Sequence, residues 1–386
     1  MKCIKIIGMM LIVLLTACSR DGESQEEEKQ PAFISVYVYA PDQPMVTRAD
    51  VGDVAPIDND ISEKTITNLQ IWVFETGTNT LVSYYSPESV YNLNNGDGAT
   101  YQLGLEDSFT QAETKPHVDV YVIANAASCG FSFDKTTTRT ALEGAMIQIQ
   151  EVENVTTDYF GLTTLTDEVP TAGLPMSGVL RDVEVTGAAP VFKIPTVKLM
   201  RAVSKIRFIF GNGTEKTVKI KSIQLNSGTI PTQEYLFLES GENAPAYHVG
   251  STYVEEAKEF LSSPINDIAK NDDPIDYVYQ AGMSAQEYED MIADGVANNK
   301  LTQVGPYYLR ESDQKLTGSI TYDVINGETV EKENAYASFE MAEAGDFSRN
   351  HTWIVYAYYG VSRLEVVTVV VKNWVDSTPT YDVYNW

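Results

Sequence analysis

Short runs rich in β-branched and aromatic residues recur along the first half of the chain. They include AFISVYVYA (32–40), TITNLQIWVFE (65–75) and HVDVYVIANA (117–126), separated by turn residues such as DQP, GTN and NNGDG. Such runs, bounded by Gly, Pro, Asn and Asp, are typical of strands, and several short strands in succession favour a sandwich. The fold class is therefore predicted to be mainly all-β.

The second half continues this pattern. It opens with KIPTVKLMRAVSKIRFIFGNGTEKTVKIKSIQLNS (193–227), and strand-like runs resume later, as in HTWIVYAYYG (351–360). Asn-Gly between two β-rich runs indicates a hairpin, so hairpins are predicted at Asn212-Gly213 and at Asn326-Gly327. The proline-bearing stretch TGAAPVFKIP separates the halves, and the domain boundary is predicted near Pro190.

Two segments carry a helical pattern instead. In RTALEGAMIQIQEV (139–152), the residues Ala141, Ala145 and Ile149 would share one helix face. The stretch SAQEYEDMIADG (284–295) also reads as a helix. The sequence therefore predicts short helical insertions in an otherwise β protein.

The carboxyl-terminal stretch LEVVTVVVKNW (364–374) is apolar on both faces of a strand. One face carries three of its valines, and the other carries Leu364, two valines and a tryptophan. Such a strand must be covered on both sides, either as the last strand of its own domain or by a neighbouring subunit. A second run follows the break at DSTP, and the apolar and aromatic residues of both runs that need such cover are Leu364, Val366, Val367, Val369, Val370, Val371, Trp374, Tyr381, Val383 and Trp386.

Composition and charge limit the class of partner. With 386 residues and 43% hydrophobic content the chain can bury a sizeable core, and its length suggests two or three domains. The formal net charge is -27, and no basic patch interrupts it, so an extended polyphosphate would be repelled. Nucleic acid is therefore not an expected partner.

The amino terminus has the pattern of an export signal. Lys2 and Lys5 form a short basic region, an apolar segment (6–15) follows, and LTAC ends at Cys18. The apolar segment is too short to span a bilayer as a helix, so residues 1–17 are predicted to be a secretory signal. LTAC resembles the bacterial lipobox, which predicts lipid attachment at Cys18. The alternative is an ordinary signal peptide with a chance cysteine.

No intramolecular disulfide is expected after export. Cys3 leaves with the signal and Cys18 would carry lipid, so Cys129 is left without a cysteine to pair with. The stretch SRDGESQEEEKQ after Cys18 is acidic and contains no large apolar residue, which is typical of a solvated tether. The attached lipid would hold the chain at a membrane, because each buried CH2 contributes about 0.8 kcal/mol.

Candidate catalytic chemistry is sparse. His117, His248 and His351 each lack a neighbouring ligand at metal-binding spacing, and they are interpreted as structural or surface residues. The sequence has no glycine-rich phosphate loop, no GxSxG elbow and no Cys/His pair of known spacing. A non-enzymatic protein is predicted, without a metal site and with no cofactor other than the covalent lipid on Cys18.

The order of several motifs resembles the fimbrillin superfamily of Bacteroidales, the pilins of type V pili. After LTAC come AFISVYVYA, an arginine in MVTRAD, NLQIWVFE, VYVIANA, LPMSG, LMRAVSKI, RNHTWIV and a terminal VVVKNW. The region from Glu234 to Gly318 matches least. The resemblance implies two β-sandwich domains of the fimbrillin or transthyretin-like type at 49–190 and 191–363, followed by a donor-strand appendage at 364–386.

The resemblance also implies how the chain matures. Residues 18–48 would be a propeptide, made of the acidic tether and the first strand. An extracellular arginine-specific protease would cut after Arg48, the only basic residue within 30–63, and leave Ala49 as the first residue. Loss of AFISVYVYA would open an apolar groove and two unpaired strand edges, and such edges accept another strand.

On these grounds the sequence predicts a structural subunit of a cell-surface fimbrium that polymerises by donor-strand exchange and supports adhesion. It would lie at the outer membrane as a lipoprotein precursor and in the fimbrium when mature. The implied partners are other copies and related fimbrial subunits, the protease, the outer membrane through the lipid, and host or bacterial surface receptors. Three alternatives stay open: an anchor subunit that keeps its lipid, a tip adhesin, and a surface glycan-binding or glycan-cleaving lipoprotein.

Overall fold

The structure, a computed structural model, covers most of the chain between the first strand and the carboxyl-terminal strands. The described residues are 33–39, 63, 65–90, 93, 98–105, 116–148, 169, 172–185, 195–238, 249–261, 263–340, 344, 347–371 and 383–385. Within these ranges the helices are too short or too polar to traverse a bilayer. Strands predominate, which confirms the predicted fold class.

The first half of the chain is built from short strands with little helix. These strands are β1 (Phe33–Tyr39), β2 (Leu69–Glu75), β3 (Leu81–Tyr85), β4 (Ala99–Gly104), β5 (His117–Ala124), β6 (Met146–Gln148), β7 (Met176–Glu184), β8 (Thr196–Lys198) and β9 (Met200–Arg201). Between β5 and β6 lie a 3-10 helix (Ala126–Cys129) and the helix α1 (Arg139–Glu143).

The second half has longer strands and one longer helix. Its strands are β10 (Ser204–Asn212), β11 (Thr217–Leu225), β12 (Gln233–Tyr235), β13 (Lys258–Glu259), β14 (Thr302–Leu309), β15 (Thr317–Asn326), β16 (Thr329–Glu340), β17 (Thr352–Tyr359), β18 (Leu364–Val371) and β19 (Val383–Asn385). Between β13 and β14 lie a 3-10 helix (Pro274–Tyr277) and the helix α2 (Ala285–Ala297).

The strands of the first half form a two-sheet sandwich. Sheet A has the order β4-β1-β8, and sheet B has the order β3-β2-β5-β7-β9. Alternate residues of both sheets point between them and pack as one core, which includes Ile34, Val36, Val38, Ile71, Val73, Tyr101, Leu103, Val120, Val122 and Val197. β1 thus forms the middle of sheet A.

The strands of the second half form another sandwich. Sheet C has the order β14-β10-β17-β18-β19, and sheet D has the order β13-β11-β15-β16. The core between them includes Ile206, Phe208, Phe210, Val218, Ile220, Ile320, Tyr322, Trp353, Val355 and Leu364. The other face of sheet C is covered by α2 and the 3-10 helix before it, which pack on Ile209, Ile354 and Tyr356. Sheet C is therefore buried on both faces, as its nearly continuous apolar strands require.

The sheets of the two halves divide between β9 and β10. β8 joins sheet A and β9 pairs with β7 in sheet B, whereas β10 belongs to sheet C. A third core joins the halves, because Trp72, Tyr121 and Ile123 of sheet B lie in one cluster with Val203 and Tyr308. β6 also pairs with β12, so the halves share both apolar and backbone contacts.

The hairpin predicted at Asn212-Gly213 is wrong. β10 lies in sheet C and β11 in sheet D, so this turn carries the chain across the core from one sheet to the other. The Asn212 side chain fixes the turn, since it accepts from Thr214 N at 3.1 Å and donates to Lys216 O at 2.6 Å. The hairpin predicted at Asn326-Gly327 is confirmed, because β15 and β16 pair around it and Gly327 has a φ of 60°.

The helix predicted in SAQEYEDMIADG is confirmed as α2. Ser284 accepts from Glu287 N at 3.2 Å, and Glu287 Oε2 accepts from Ser284 N at 2.7 Å, which completes a capping box. The second predicted helix forms only over Arg139–Glu143, and its predicted continuation beyond Gly144 is wrong. There the chain enters β6, because pairing with β12 overrides the local helical pattern.

Candidate functional site

β1 alternates between side chains in the core and side chains near the surface. Ile34, Val36 and Val38 point between sheets A and B, and Val36 and Val38 are fully buried. Tyr37 and Tyr39 are half-buried and stack with ring centroids 5.9 Å apart. Branched apolar residues at every second position explain why this segment forms a strand with one face toward the core.

β1 is hydrogen-bonded along both edges. It pairs antiparallel with β4 on one side and parallel with β8 on the other. On the β8 side, Tyr37 N donates to Pro195 O and Leu199 N donates to Tyr39 O, both at 2.9 Å. β1 therefore holds β4 and β8 in one sheet.

The space that β1 fills, here named the β1 slot, lies between β4 and β8 above the inner face of sheet B. Burying its three inward side chains contributes roughly 5 to 9 kcal/mol before ordering costs. Without β1, the facing edges of β4 and β8 would carry unpaired N–H and C=O groups above an exposed apolar floor. The slot therefore fits a strand that is apolar at alternate positions, as β1 is.

Glu63, which lies between β1 and β2, is buried between the two halves. Lys205 Nζ lies 3.1 Å from Glu63 Oε2, and the Tyr308 hydroxyl donates to Glu63 Oε1. Arg201 Nε donates to the Glu63 carbonyl oxygen at 3.2 Å. Because Lys205 and Tyr308 belong to β10 and β14, Glu63 connects the segment before β2 to the second half of the chain.

A second buried charge cluster surrounds Glu234 of β12. Glu234 Oε2 accepts from Glu311 N at 3.0 Å and lies 4.0 Å from Arg349 Nη2, which is paired with Glu311 Oε1 at 2.6 Å. Burial raises the pKa of Glu234 to about 8, although the charge of Arg349 opposes this shift. Burial also lowers the pKa of Arg310 to about 10. Burial therefore favours the protonated form of Glu234 compared with an exposed carboxyl group.

β18 is fully paired within this chain. It runs antiparallel to β17 along all eight of its residues. Leu364 and Val366 pack in the core between sheets C and D, and Val367 packs in the layer beneath α2. Both apolar faces of this strand are thus in contact with other parts of the same chain.

β19 lies at the edge of sheet C. Its three residues pair antiparallel with β18, with Val383 opposite Val369 and Asn385 opposite Val367. A strand of this length at an edge forms few backbone hydrogen bonds. It can therefore detach at a lower cost in free energy than β18.

The structure places the predicted site residues in two groups. Val369, Val370 and Val371 lie in β18 with the buried donor residues described above, and Val383 lies in β19. Within one chain these strands belong to sheet C, so the structure does not bring them to the β1 slot in sheet A. The remaining predicted residues lie outside the described ranges; they are Cys18, Arg48, Ala49, Trp374, Tyr381 and Trp386.

Sequence reasoning missed the buried charges. A signal was present in SKIRFIF, where Lys205 and Arg207 interrupt an otherwise apolar strand and must find partners if buried. Lys205 pairs with Glu63, 142 residues away, and Arg207 pairs with Glu289 of α2, 82 residues away. Partners so distant in sequence could not be assigned without the fold.

The histidines occupy separate positions. His117 is exposed, with Nδ1 2.8 Å from Asp182 Oδ1, and His351 is half-buried beside Ser348. His248 lies outside the described residues. Among the side chains that the structure describes, no three His, Cys, Asp or Glu residues are grouped so that they could hold a metal ion.

Comparisons with solved structures find fimbrial proteins of similar extent. A fimbrial assembly protein from Parabacteroides distasonis is 14% identical, with 92% of this chain and 100% of that chain covered and a TM-score of 0.45. The tip fimbrial protein Mfa3 from Porphyromonas gingivalis, with a carboxyl-terminal truncation, is 11% identical, with 92% and 100% covered and a TM-score of 0.43. A comparison with curated protein sequences finds no match.

A family model provides the firmer assignment. The model described as major fimbrial subunit protein (FimA) matches residues 32–226, which is about half of the chain. The match begins with β1 and includes the whole of sheets A and B. This chain therefore belongs to the major fimbrial subunit protein (FimA) family.

Proposed function

We propose that this protein is a pilin that is exported as a lipoprotein on Cys18, cleaved after Arg48 and polymerised by donor-strand exchange. Membership of the family implies a structural, non-enzymatic subunit at the cell surface. The proposal adds the route to assembly: removal of β1 opens the β1 slot, and a carboxyl-terminal strand of another copy fills it. Related fimbrial subunits would be further partners, and the polymer would support adhesion.

One observation carries this proposal. β1, which precedes Arg48 in the sequence, lies in the middle of sheet A and not at its edge. Loss of a central strand leaves two unpaired strand edges and exposes the inner apolar side chains of sheet B. Binding of another strand would bury these groups again and would therefore be favourable. An edge strand would leave one edge already open in the precursor.

The donor is best placed among the residues that follow Val371. The contacts of Leu364, Val366 and Val367 make β18 part of two cores, and its departure would expose both. β19, by contrast, is a three-residue strand at the sheet edge. Within the predicted appendage 364–386, β18 therefore stays in sheet C, and the residues that follow it supply the donor strand.

The proposal is tested by treating the purified full chain with an arginine-specific protease. We expect one dominant product that begins at Ala49 and forms filaments, seen by amino-terminal sequencing and electron microscopy. Arg48→Ala should resist cleavage and stay monomeric. Arg363→Ala is the matched control, because Arg363 is exposed but paired with Glu365 at 2.6 Å in a short loop; this variant should be processed normally.

The outcome also separates the alternative roles. Filaments formed by uncleaved Arg48→Ala would show that cleavage at this bond is not the activating step. Protein isolated from cell surfaces that keeps its lipid and β1 would indicate an anchor subunit. A cleaved product that caps filaments without extending them would indicate a tip subunit.

A further inference from the structure

β11 contains a β-bulge where it pairs with the middle of β15. Ile220 pairs with Tyr322 and Ser222 pairs with Thr321, so two neighbouring residues of β15 face three residues of β11. Lys221 is the extra residue. A bulge redirects the side chain of its extra residue, and bulges are common next to functional sites. The direction of the Lys221 side chain is therefore set by the backbone of β11.

A second bulge lies on the other side of β15, in β16. The register shifts between Tyr322 and Val324, so that one residue of β15, Asp323, faces two residues of β16. One of these two is Asn334, which has a φ of 51°. Few residues other than glycine adopt this left-handed conformation, and asparagine is one of them. Asn334 N donates to Asp323 Oδ1 at 2.7 Å, so the Asp323 side chain stabilises this bulge.

The two bulges bring three side chains together on the outer face of sheet D. Tyr322 and Val324 point into the core, so Asp323 between them points away from it. Lys221 Nζ donates to Asn334 Oδ1 at 2.7 Å and lies 3.6 Å from Asp323 Oδ2. A lysine, a carboxyl group and a carboxamide from three adjacent strands therefore meet at one point on this face.

Stability alone does not account for this arrangement. The side chains of Lys221 and Asp323 are 37% and 16% exposed, and contacts between partly exposed charged side chains contribute little. Each bulge interrupts the backbone ladder, and the left-handed conformation of Asn334 adds a local backbone cost. Backbone irregularities that converge on a set of reactive groups point to a chemical role.

The three groups are those that amide transfer requires. A lysine amine is a nucleophile once it has lost a proton, and the carboxyl group of Asp323 can accept that proton. The carboxamide carbon of Asn334 is bonded to the oxygen that Lys221 already contacts. Holding these groups together replaces an encounter between separate molecules by an intramolecular step, which raises the rate by many orders of magnitude.

We propose that Lys221 Nζ and Asn334 Cγ become joined by an isopeptide bond, and that Asp323 transfers the protons. The bond links residues 113 positions apart and ties β11 to β16 across β15. It goes beyond the proposed function, because it lies in sheet D and needs neither cleavage nor a second copy. Since β16 is an edge strand of sheet D, the bond prevents this strand from being pulled away from the sheet.

The reaction is balanced without an oxidant or a cofactor. Asp323 takes one proton from the Lys221 ammonium group, and the freed electron pair on Nζ forms the bond to Cγ. The carboxyl group then gives its proton to Asn334 Nδ2 and takes a second proton from Nζ. The Cγ–Nδ2 bond breaks, and its electron pair leaves with the nitrogen as ammonia. Ammonia takes the proton from Asp323 and diffuses into solvent as ammonium, which makes the reverse reaction slow.

Mass spectrometry of the purified full chain tests the bond directly. The wild type should be lighter by one ammonia than its sequence requires, and a tryptic digest should contain a branched peptide that joins Lys221 to Asn334. Lys221→Arg keeps the positive charge and a hydrogen-bond donor but has no amine that can form this bond. This variant should have the full mass and give no branched peptide.

Two further variants test the proton carrier. Asp323→Asn keeps an oxygen that can accept from Asn334 N but cannot transfer protons in this way, so it should cross-link about a hundredfold more slowly. Lys219→Arg is the matched control, because Lys219 pairs with Asp323 in the ladder but does not form the bond. This control should cross-link like the wild type. The cross-linked fraction is followed by mass spectrometry after cell-free synthesis of the chain.

Loss of ammonia has a second source, because an asparagine side chain can react with its own backbone to form a succinimide. Loss of ammonia that persists in Lys221→Arg, without a branched peptide, would identify this source and overturn the isopeptide bond. A wild-type chain of full mass would overturn it as well. Cross-linking of Asp323→Asn at the wild-type rate would overturn the role of Asp323. A branched peptide in the wild type and in Lys219→Arg, but not in Lys221→Arg, would support the bond.

Discussion

Lys205 and Glu63 form a buried ion pair, with Nζ 3.1 Å from Oε2, between the second domain and the segment that precedes β2. Glu63 is 15 residues downstream of Arg48 in the sequence. This contact would therefore remain between the two halves of the chain if β1 were lost. If β1 is removed as proposed, this pair would help to keep the two halves of the chain together.

Removing the carboxylate from this pair is expected to destabilise the protein strongly. Glu63→Gln removes the charge that Glu63 places beside the buried Lys205 ammonium, and breaking a buried pair in this way costs about 3 to 5 kcal/mol. Urea unfolding monitored by tryptophan fluorescence measures this loss. Glu331→Gln is the control, since its partner Lys216 is partly exposed and such pairs contribute about 1 kcal/mol or less. Equal losses in the free energy of unfolding for the two substitutions would contradict a strongly stabilising buried ion pair at Glu63.

Glu234 is expected to make stability depend on pH. Its pKa is about 8 in the folded protein against an ordinary value of 4.5, so the folded state binds this proton more tightly. This contribution to stability is fully present below about pH 4.5 and is lost as the pH rises through 8. The free energy of unfolding should therefore fall by about 2 to 3 kcal/mol between pH 6 and 9. Glu234→Gln, which stays neutral, should flatten this slope; an unchanged slope would exclude Glu234 as its source.

Lipid attachment is expected at Cys18. Cys18→Ser removes the thiol that would carry the acyl chains, so the variant should not incorporate labelled palmitate and should be lost from the membrane fraction. Cys129→Ser is the matched control, because Cys129 is buried and burial raises the pKa of its thiol. The control should be labelled like the wild type. Normal labelling of Cys18→Ser would refute the lipoprotein assignment.

The two carboxyl-terminal strands are expected to differ in their roles. Deletion of Tyr381 to Trp386 should leave a folded monomer that is cleaved but does not polymerise, since only an edge strand is lost. Val367→Asp should lower the melting temperature sharply, because it puts a charge into the layer beneath α2 at a cost of several kcal/mol. Calorimetry and filament yield measure both effects.

A contrary result for these variants would reassign the donor. If Val367→Asp melts normally but fails to polymerise, β18 itself is the donated strand. If the deletion polymerises as well as the wild type, carboxyl-terminal donation is refuted. Val361→Asp serves as the stability control, since that side chain is 93% exposed.

Some features of the fold could be predicted from local pattern alone. The alternation of Ile34, Val36 and Val38 predicts a strand with one buried face, and Ser284 with Glu287 marks the start of α2. The turn at Asn326-Gly327 depends on a glycine with positive φ next to two β-rich runs. In each case the determining residues are neighbours in sequence, so the physics that selects the structure is local.

Other features were decided only by the tertiary structure, because they depend on which strands lie beside each other. Asn212-Gly213 has the same local signal as Asn326-Gly327, yet its flanking strands separate into sheets C and D. The sequence by itself determined that β1 and β18 are apolar strands. Their positions, in the middle of sheet A and between two cores, were decided by pairings with residues far away in the chain. The same is true of Glu63, whose burial depends on a lysine 142 residues away.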